Sequence, residues 1–262
     1  MNKLEEYYNK FNEDKRLLSR HGRVEFRVTK SFIDSYLFEG AKIADIGAGT
    51  GRYSIALAKE GYSVVAVEPV KYNLGILKKH VREELPFDAD ITAFQGNAQK
   101  LKRLNDNEFD LTLLLGPLYH LHSFEEKVKA LCEAKRITKP GGHILVSYVM
   151  ADYAIVKYGF MEGNIKKSIE EGKLTDRFDI VSDEEELYDY VRLEDIDEYN
   201  KAAGLRRQKI AAPDGASDYI RPYLNEMDDE SFELFIKYQT INAERPELLG
   251  ASSHLLDILI CD

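Results

Sequence analysis

The sequence predicts an α/β domain, a parallel sheet covered by helices on both faces, with a helical subdomain attached to it. Three observations carry that expectation. Between Lys42 and Val149, short β-rich runs alternate with segments of helical period, the signature of βαβ units. The first run leads straight into a glycine-rich turn, Gly47 to Gly51, that opens a helix. The 262 residues, 44% of them hydrophobic, are enough for one large domain or two small ones at roughly 100–200 residues per domain. No internal repeat and no Gly/Ser or Pro linker divides them.

The elements follow in order. Leu4, Tyr7, Tyr8 and Phe11 stand at i, i+3, i+4 and i+7, and Val24, Val28, Phe32 and Tyr36 repeat every four residues. Two helices are therefore expected, separated by the polar stretch LSRHG. KIADI is the first strand, and the helix after Gly51 ends at Gly61. SVVAV, a helix from about Asn73 to Glu84, and ITAFQ continue the alternation, followed by FDLTLLL, a helix from Ser123 to Ile137, and HILVSYV. In that last helix Phe124, Val128 and Leu131 make the apolar stripe, and Ser123 and Glu126 have capping-box spacing.

From Met150 to about Arg192 the alternation stops in a segment rich in aromatics and acids, DEEE included. RLEDIDEYNKAAG then reads as a helix with Leu193, Ile196, Tyr199 and Ala203 on one face and Gly204 as its left-handed cap. LRRQKIAA is a strand, Ser231 to Ala243 a helix, and HLLDILIC a buried strand. The expected organisation is a helical cover over 1–39, a cofactor-binding core over 40–149, a lid or substrate insertion over 150–192, and the rest of the core over 193–262 with a helical insertion at about 214–247.

Charge and cysteine usage narrow the function. With 36 Lys and Arg against 46 Asp and Glu, the net charge is −10, which disfavours nucleic acid and anionic membranes as partners. Residues 151–200 hold 6 basic and 15 acidic side chains, a balance of −9, so the core is close to neutral. Cys132 and Cys261 have no second pair and no histidine cluster beside them, so neither a disulfide framework nor a metal site is expected. Both read as buried thiols in a reducing cytoplasm. No apolar stretch approaches the roughly 18 residues of a membrane span, and the amino terminus has no apolar signal region, so a cytoplasmic protein is expected.

The chemistry concentrates at ADIGAGTGR, residues 44–52. Gly47, Gly49 and Gly51 allow positive φ and a close ligand approach, while the helix behind them offers N–H groups. The spacing is G-x-G-x-G, not the G-x-G-x-x-G of dinucleotide sites, and no Lys-Ser or Lys-Thr follows to make a phosphate loop. Glu68 ends the second strand about twenty residues on, where a carboxylate can accept both hydroxyls of a ribose, as in NAD and adenosyl sites alike.

On these residues the chain resembles the class I S-adenosylmethionine-dependent methyltransferases, over about residues 40–150. Five ordered matches carry the resemblance: DIGAGTG, VEP at Glu68-Pro69, GNAQKL from Gly96 to Leu101, LLLGPLYHL, and KPGGHILVS. It implies a doubly wound, Rossmann-like, seven-stranded, mostly parallel sheet whose last strand is antiparallel, with a helical lid insertion. It also implies S-adenosyl-L-methionine as cofactor, held by Asp45, Gly47, Ala48, Gly49, Gly51, Glu68, Pro69, Asn97, Ala98, Leu115 and Gly116. Asp45 would orient the loop, Glu68 bind the ribose and Pro69 lie beside the adenine. Asn97 replaces the family's usual acid, and its amide oxygen is the weaker acceptor. LSRHGRVEF is similar to an opening segment of a bacterial subset of the family, which would bring Arg20, His21 and Arg23 to the cofactor carboxylate; a solvated helix start is the competing reading.

Methyl transfer from a sulfonium requires alignment, exclusion of water and, for some acceptors, removal of one proton. Tyr119 and His120, after Gly116-Pro117, are the candidates for that role, with a structural role for His120 as the alternative. His122 stands nearer the helix start, His21 is a candidate lid residue, and His80, His143 and His254 read as surface or strand residues. In the insertion, Tyr148, Tyr153, Tyr158, Phe160, Phe178, Tyr188 and Tyr190 beside carboxylates form either a small core or a surface for a cationic amine. The expected function is methylation of a small molecule, by a chain that can also form a homodimer. The alternatives are methylation of RNA or protein, a sensor that binds the cofactor without chemistry, and, against the glycine spacing, an NAD-dependent oxidoreductase.

Overall fold

Residues 19–250 and 252–262 are described by the structure, a computed structural model; the helix expected around Leu4 to Phe11 lies outside them. The first described helix, α1 (Arg20–Asp34), starts earlier than its apolar spacing suggests. The Ser19 side chain accepts from the Gly22 backbone N–H at 3.3 Å and caps the helix. Arg20, His21 and Arg23 consequently belong to its first turn and not to a separating loop. Val24, Val28 and Phe32 are buried, whereas Tyr36 lies just past the helix end, its ring 4.3 Å from that of His143.

Seven strands form one sheet in the order β3-β2-β1-β4-β5-β7-β6. They are β1 (Lys42–Ile46), β2 (Ser63–Glu68), β3 (Ile91–Gln95), β4 (Phe109–Leu114), β5 (Thr138–Val149), β6 (Arg206–Ala211) and β7 (His254–Ile260). The first five are mutually parallel, and β7 runs antiparallel to both β5 and β6. β1 has β2 on one side and β4 on the other, so the strand order reverses there, and a crevice opens at the carboxyl ends of these strands. β5 begins five residues before HILVSYV: Thr138 pairs with Phe109, then the register shifts across Lys139 to Gly142 so that His143 meets Leu111. The aspartate inside the apolar run of β7, Asp257, is fully buried and accepts from Arg207 Nε at 2.6 Å and from Asn200 Nδ2 at 2.6 Å.

Helices cover both faces. α2 (Arg52–Lys59) and α3 (Lys71–Glu84) follow β1 and β2, and α4 (Phe124–Ile137) follows β4. The capping box of α4 is complete: Ser123 Oγ accepts from Glu126 N at 3.2 Å and Glu126 accepts from Ser123 N at 3.4 Å. Residues after β5 form α5 (Ala151–Ala154), a π-helical stretch Ile155–Met161 and α6 (Ile165–Glu170). α7 (Leu193–Ala203) ends at Gly204, φ 64°, as its spacing predicts. α8 (Arg221–Glu226), α9 (Asp229–Asn242) and α10 (Pro246–Leu249) lie between β6 and β7. α9 starts two residues before Ser231 because Asp228 accepts from the Ser231 N–H at 2.8 Å. One core cluster joins α4 and α7 to the sheet, the other α1, α2 and α9.

Cys261 is buried, but Cys132 is exposed, contrary to expectation. The buried face of α4 is Lys127, Ala130, Leu131, Ala134 and Ile137, and residue 132 falls about 100° around the helix from Leu131. Among the described residues no helix is long and apolar enough to cross a membrane.

Candidate functional site

The crevice at the ends of β1, β2 and β4 is a cleft of about 380 Å³, within the range of small-molecule sites. Its floor is the turn after β1. Gly47, Gly49 and Gly51 have φ of 79°, 57° and 93°, a region that only glycine enters readily. The Gly47 and Ala48 N–H groups donate to Val67 O at 2.7 and 3.1 Å, drawing the loop across β2. A Cβ on Gly47 would sit 2.6 Å from Pro117 Cγ, whereas one on Gly49 would meet nothing within 4 Å. Gly47→Ala therefore suffers both the left-handed backbone penalty of about 1–2 kcal/mol and a packing clash of about 1–3 kcal/mol, and Gly49→Ala only the first. Urea unfolding should place Gly47→Ala at least about 1 kcal/mol below Gly49→Ala in stability.

Two carboxylates frame this loop. Asp45 is buried at the end of β1 and accepts from Ser54 Oγ, which ties the first turn of α2 to the strand; burial pushes its pKa up to about 6. Glu68, at the end of β2, accepts from Gly49 N at 2.8 Å and Val70 N at 2.9 Å. Burial pushes its pKa up to about 6, opposed by those two bonds and by one from Asn73. A carboxylate offers about four acceptor positions, so Glu68 keeps capacity toward hydroxyl groups in the cleft.

Ala48, Pro69, Asn97, Ala98, Leu115 and Gly116 also line the cleft, as do Tyr119 and His120. Asn97 spends its amide oxygen on its own turn, accepting from Gln99 N at 2.8 Å. Gly51 is not in the wall: it is the N-cap of α2, and a Cβ there would meet Leu77 Cγ of α3 at 2.7 Å, so it packs one helix on another. Arg20, His21 and Arg23 do not line the cleft either. Arg20 pairs with Asp229 at 3.0 Å, and both guanidiniums lie over Phe232, at 4.8 and 4.9 Å, which joins α1 to α9. His21 Nδ1 is 2.9 Å from Ser19 Oγ.

The chain after β4 forms a 3-10 turn, Pro117–His120. His120 Nδ1 lies 2.9 Å from Leu187 O, which fixes the Nδ1–H tautomer, and burial pushes its pKa down to about 4. The imidazole is therefore neutral at pH 7 and orients a ligand better than it takes up a proton. Its depressed pKa contributes stability that is present above the unfolded value of about 6.5 and is lost as the pH falls through about 4. An NMR titration should show the His120 ring signals unchanged from about pH 8 to 5.5; a midpoint near 6.5 would contradict this environment. The Tyr119 hydroxyl donates to Leu115 O at 3.3 Å, and its ring lies 5.7 Å from Tyr188.

Sequence reasoning missed three contributors to the cleft from the segment between β5 and α7, namely Glu184, Glu186 and Leu187. This segment is fastened over the 3-10 turn by Asp189, whose N–H donates to Tyr119 O at 2.9 Å and whose carboxylate accepts from the fully buried Lys127 at 2.6 Å. Glu25 of α1 was missed as well. The Ser19 cap was the available signal, since it starts the helix early enough to bring Glu25 onto a packed turn.

Residues 44–146 match the family described as methyltransferase domain. A demethylmenaquinone methyltransferase of Renibacterium salmoninarum is 38% identical over 109 residues, 41% of each chain. A ubiquinone biosynthesis O-methyltransferase of Alkalilimnicola ehrlichii is 27% identical over 109 residues, 42% of each. The chain thus spans about two fifths of the length of such relatives. Among solved structures, an S-adenosylmethionine-dependent methyltransferase from Thermotoga maritima superposes with TM-score 0.60 at 19% identity, covering 99% of this chain and 98% of that one. One from Leishmania major gives 0.62 at 16%, covering 98% and 81%. These two share the fold.

Proposed function

We propose that this chain, whose residues 44–146 match the methyltransferase domain family, is a class I S-adenosylmethionine-dependent enzyme that transfers a methyl group to a small-molecule acceptor. The observation that carries this reading is the pairing of Glu68 with the Gly49 N–H at the mouth of the switch-point crevice. The residues present suit the cofactor: a buried carboxylate with spare acceptor capacity for ribose hydroxyls, a loop without side chains for close approach, and an acidic environment for a cation.

S-Adenosylmethionine, when bound, supplies an activated methyl group on a sulfonium sulfur. The chain does the rest. Glu68 would hold the ribose hydroxyls and the backbone of Gly47 to Gly49 would face the methionine part, while Asp45 keeps the loop in place through Ser54. Tyr119 and His120 line the acceptor side, where the neutral imidazole orients the nucleophile. The segment between β5 and α7, anchored by Asp189, acts as the lid that excludes water. Its acidic side chains Glu184 and Glu186 disfavour anionic acceptors and nucleic acid.

The test is isotopic. The chain, incubated with S-adenosylmethionine carrying a labelled methyl group and a metabolite extract, should transfer label into low-molecular-weight products with release of S-adenosylhomocysteine. Label appearing only in RNA or protein fractions, or none at all, would overturn the assignment.

A further inference from the structure

A second polar cluster adjoins the cleft, in which Glu25, Asp214 and His254 bring one ligand atom each within 4.8 Å of one another. It is assembled from three distant parts of the chain: α1, the loop after β6, and the first residue of β7. His254 pairs with Val149, the last residue of β5, and the chain leaves β6 only three residues before Asp214, so the cluster sits on the same carboxyl edge of the sheet as the cleft. The cluster and the cleft share a wall: Glu25 lines the cleft, and the Tyr119 ring lies 6.3 Å from that of His254.

Within the cluster, Asp214 is buried and accepts from the His254 backbone N–H and lies against His254 Nδ1, both at 2.9 Å. The His254 imidazole is its partner, an ion pair only once the ring is protonated, and no lysine or arginine among the described residues joins it. The Nδ1 contact fixes the tautomer, so that Nε2 is the nitrogen that can accept a proton, and the carboxylate behind stabilises the imidazolium that results. Two carboxylates and one imidazole beside a tyrosine ring make a place for a cation that carries hydrogen-bond donors. Glu184 and Glu186 extend the same sign of charge along the cleft.

We propose that Glu25, Asp214 and His254 form the acceptor subsite for a primary or secondary amine, with Glu25 holding the ammonium and His254 as the base that deprotonates it. This rests on the methyl-transfer reading above. The balance is simple. One ammonium proton passes to His254 Nε2, the amine lone pair forms the new N–CH₃ bond as the S–CH₃ bond breaks, and the electron pair of that bond stays on sulfur. The proton on His254 leaves to solvent after the product departs.

Calorimetry on the full chain saturated with S-adenosylhomocysteine tests this with three pairs of probes: propylamine against propan-1-ol, phenethylamine against 2-phenylethanol, and tyramine against tyrosol. Each pair exchanges only an ammonium for a hydroxyl. At least one amine should bind tenfold or more tightly than its alcohol, and Glu25→Gln should reduce that ratio to within about twofold. Asp214→Asn should do the same, with circular dichroism checking its fold; Glu25→Gln carries the test if it does not fold. No preference in any pair, a preference that survives Glu25→Gln, or tight binding of Mn²⁺ alone with none of the amines would overturn the proposal. If S-adenosylhomocysteine does not bind, the methyl-transfer reading fails separately, and the amine-to-alcohol ratio measured on the unliganded chain still judges the subsite.

Discussion

Glu68→Ala should weaken S-adenosylhomocysteine binding by about 10- to 150-fold, the equivalent of about 1.5–3 kcal/mol for hydrogen bonds to a charged group. The side chain acts twice, as acceptor for the ligand and as partner of the Gly49 N–H that shapes the loop. Glu68→Gln keeps the shape and loses the charge, so it should fall between wild type and Glu68→Ala. The pH dependence follows from burial, which raises the Glu68 pKa from its ordinary 4.5 to about 6 in the fold. A carboxyl with a raised folded pKa favours the folded state below its unfolded value, and that contribution, about 2 kcal/mol, is lost as the pH rises through 6. Ligand affinity runs the other way, because the ionised carboxylate is the acceptor. Calorimetry from about pH 8 to 5 should therefore show affinity falling below pH 6 by up to tenfold per unit, and Glu68→Gln should remove that slope.

Lys127→Met should destabilise the fold by about 3–5 kcal/mol. Lys127 and Asp189 have side-chain exposures of 1% and 9% and lie 2.6 Å apart, so removing one leaves the other as a buried, unpaired charge. Lys127 also donates to Leu121 O, and the loss loosens both the turn after β4 and the segment between β5 and α7. Urea unfolding checks the magnitude. The double variant Lys127→Met/Asp189→Leu should recover most of the loss, since a buried ion pair replaced by apolar side chains is often neutral. A double variant less stable than either single one would mean that the pair is not isolated in the way its burial suggests.

Local chemistry made much of the fold legible. Strand–helix alternation placed the sheet, S-x-x-E spacing placed α4, and Gly204 marked the end of α7, because each signal acts over a few residues. The glycine turn and Glu68 stood out for the same reason, being adjacent to strands whose apolar runs are unmistakable. Gly51 looked like a ligand-binding glycine, but its missing side chain makes room for Leu77, a long-range packing requirement that spacing does not reveal. Nothing in the spacing of α4 singles out Lys127, because its partner lies 62 positions away. Glu25, Asp214 and His254 come from distant parts of the chain, and the antiparallel pairing of β7 with β5 and β6 is what sets His254 beside the loop that carries Asp214. Pairing of that kind leaves no short motif.

Titration of the full chain with S-adenosylhomocysteine is the most direct measurement. One molecule should bind per chain, Glu68→Ala should weaken that binding tenfold or more, and NAD should not compete. At about 100 times the dissociation constant the ligand should stabilise the fold by about 2.7 kcal/mol in a melting experiment. Neither binding nor a melting shift with S-adenosylmethionine or S-adenosylhomocysteine, or tighter binding of NAD in the same cleft, would contradict the assignment of this protein as a methyltransferase.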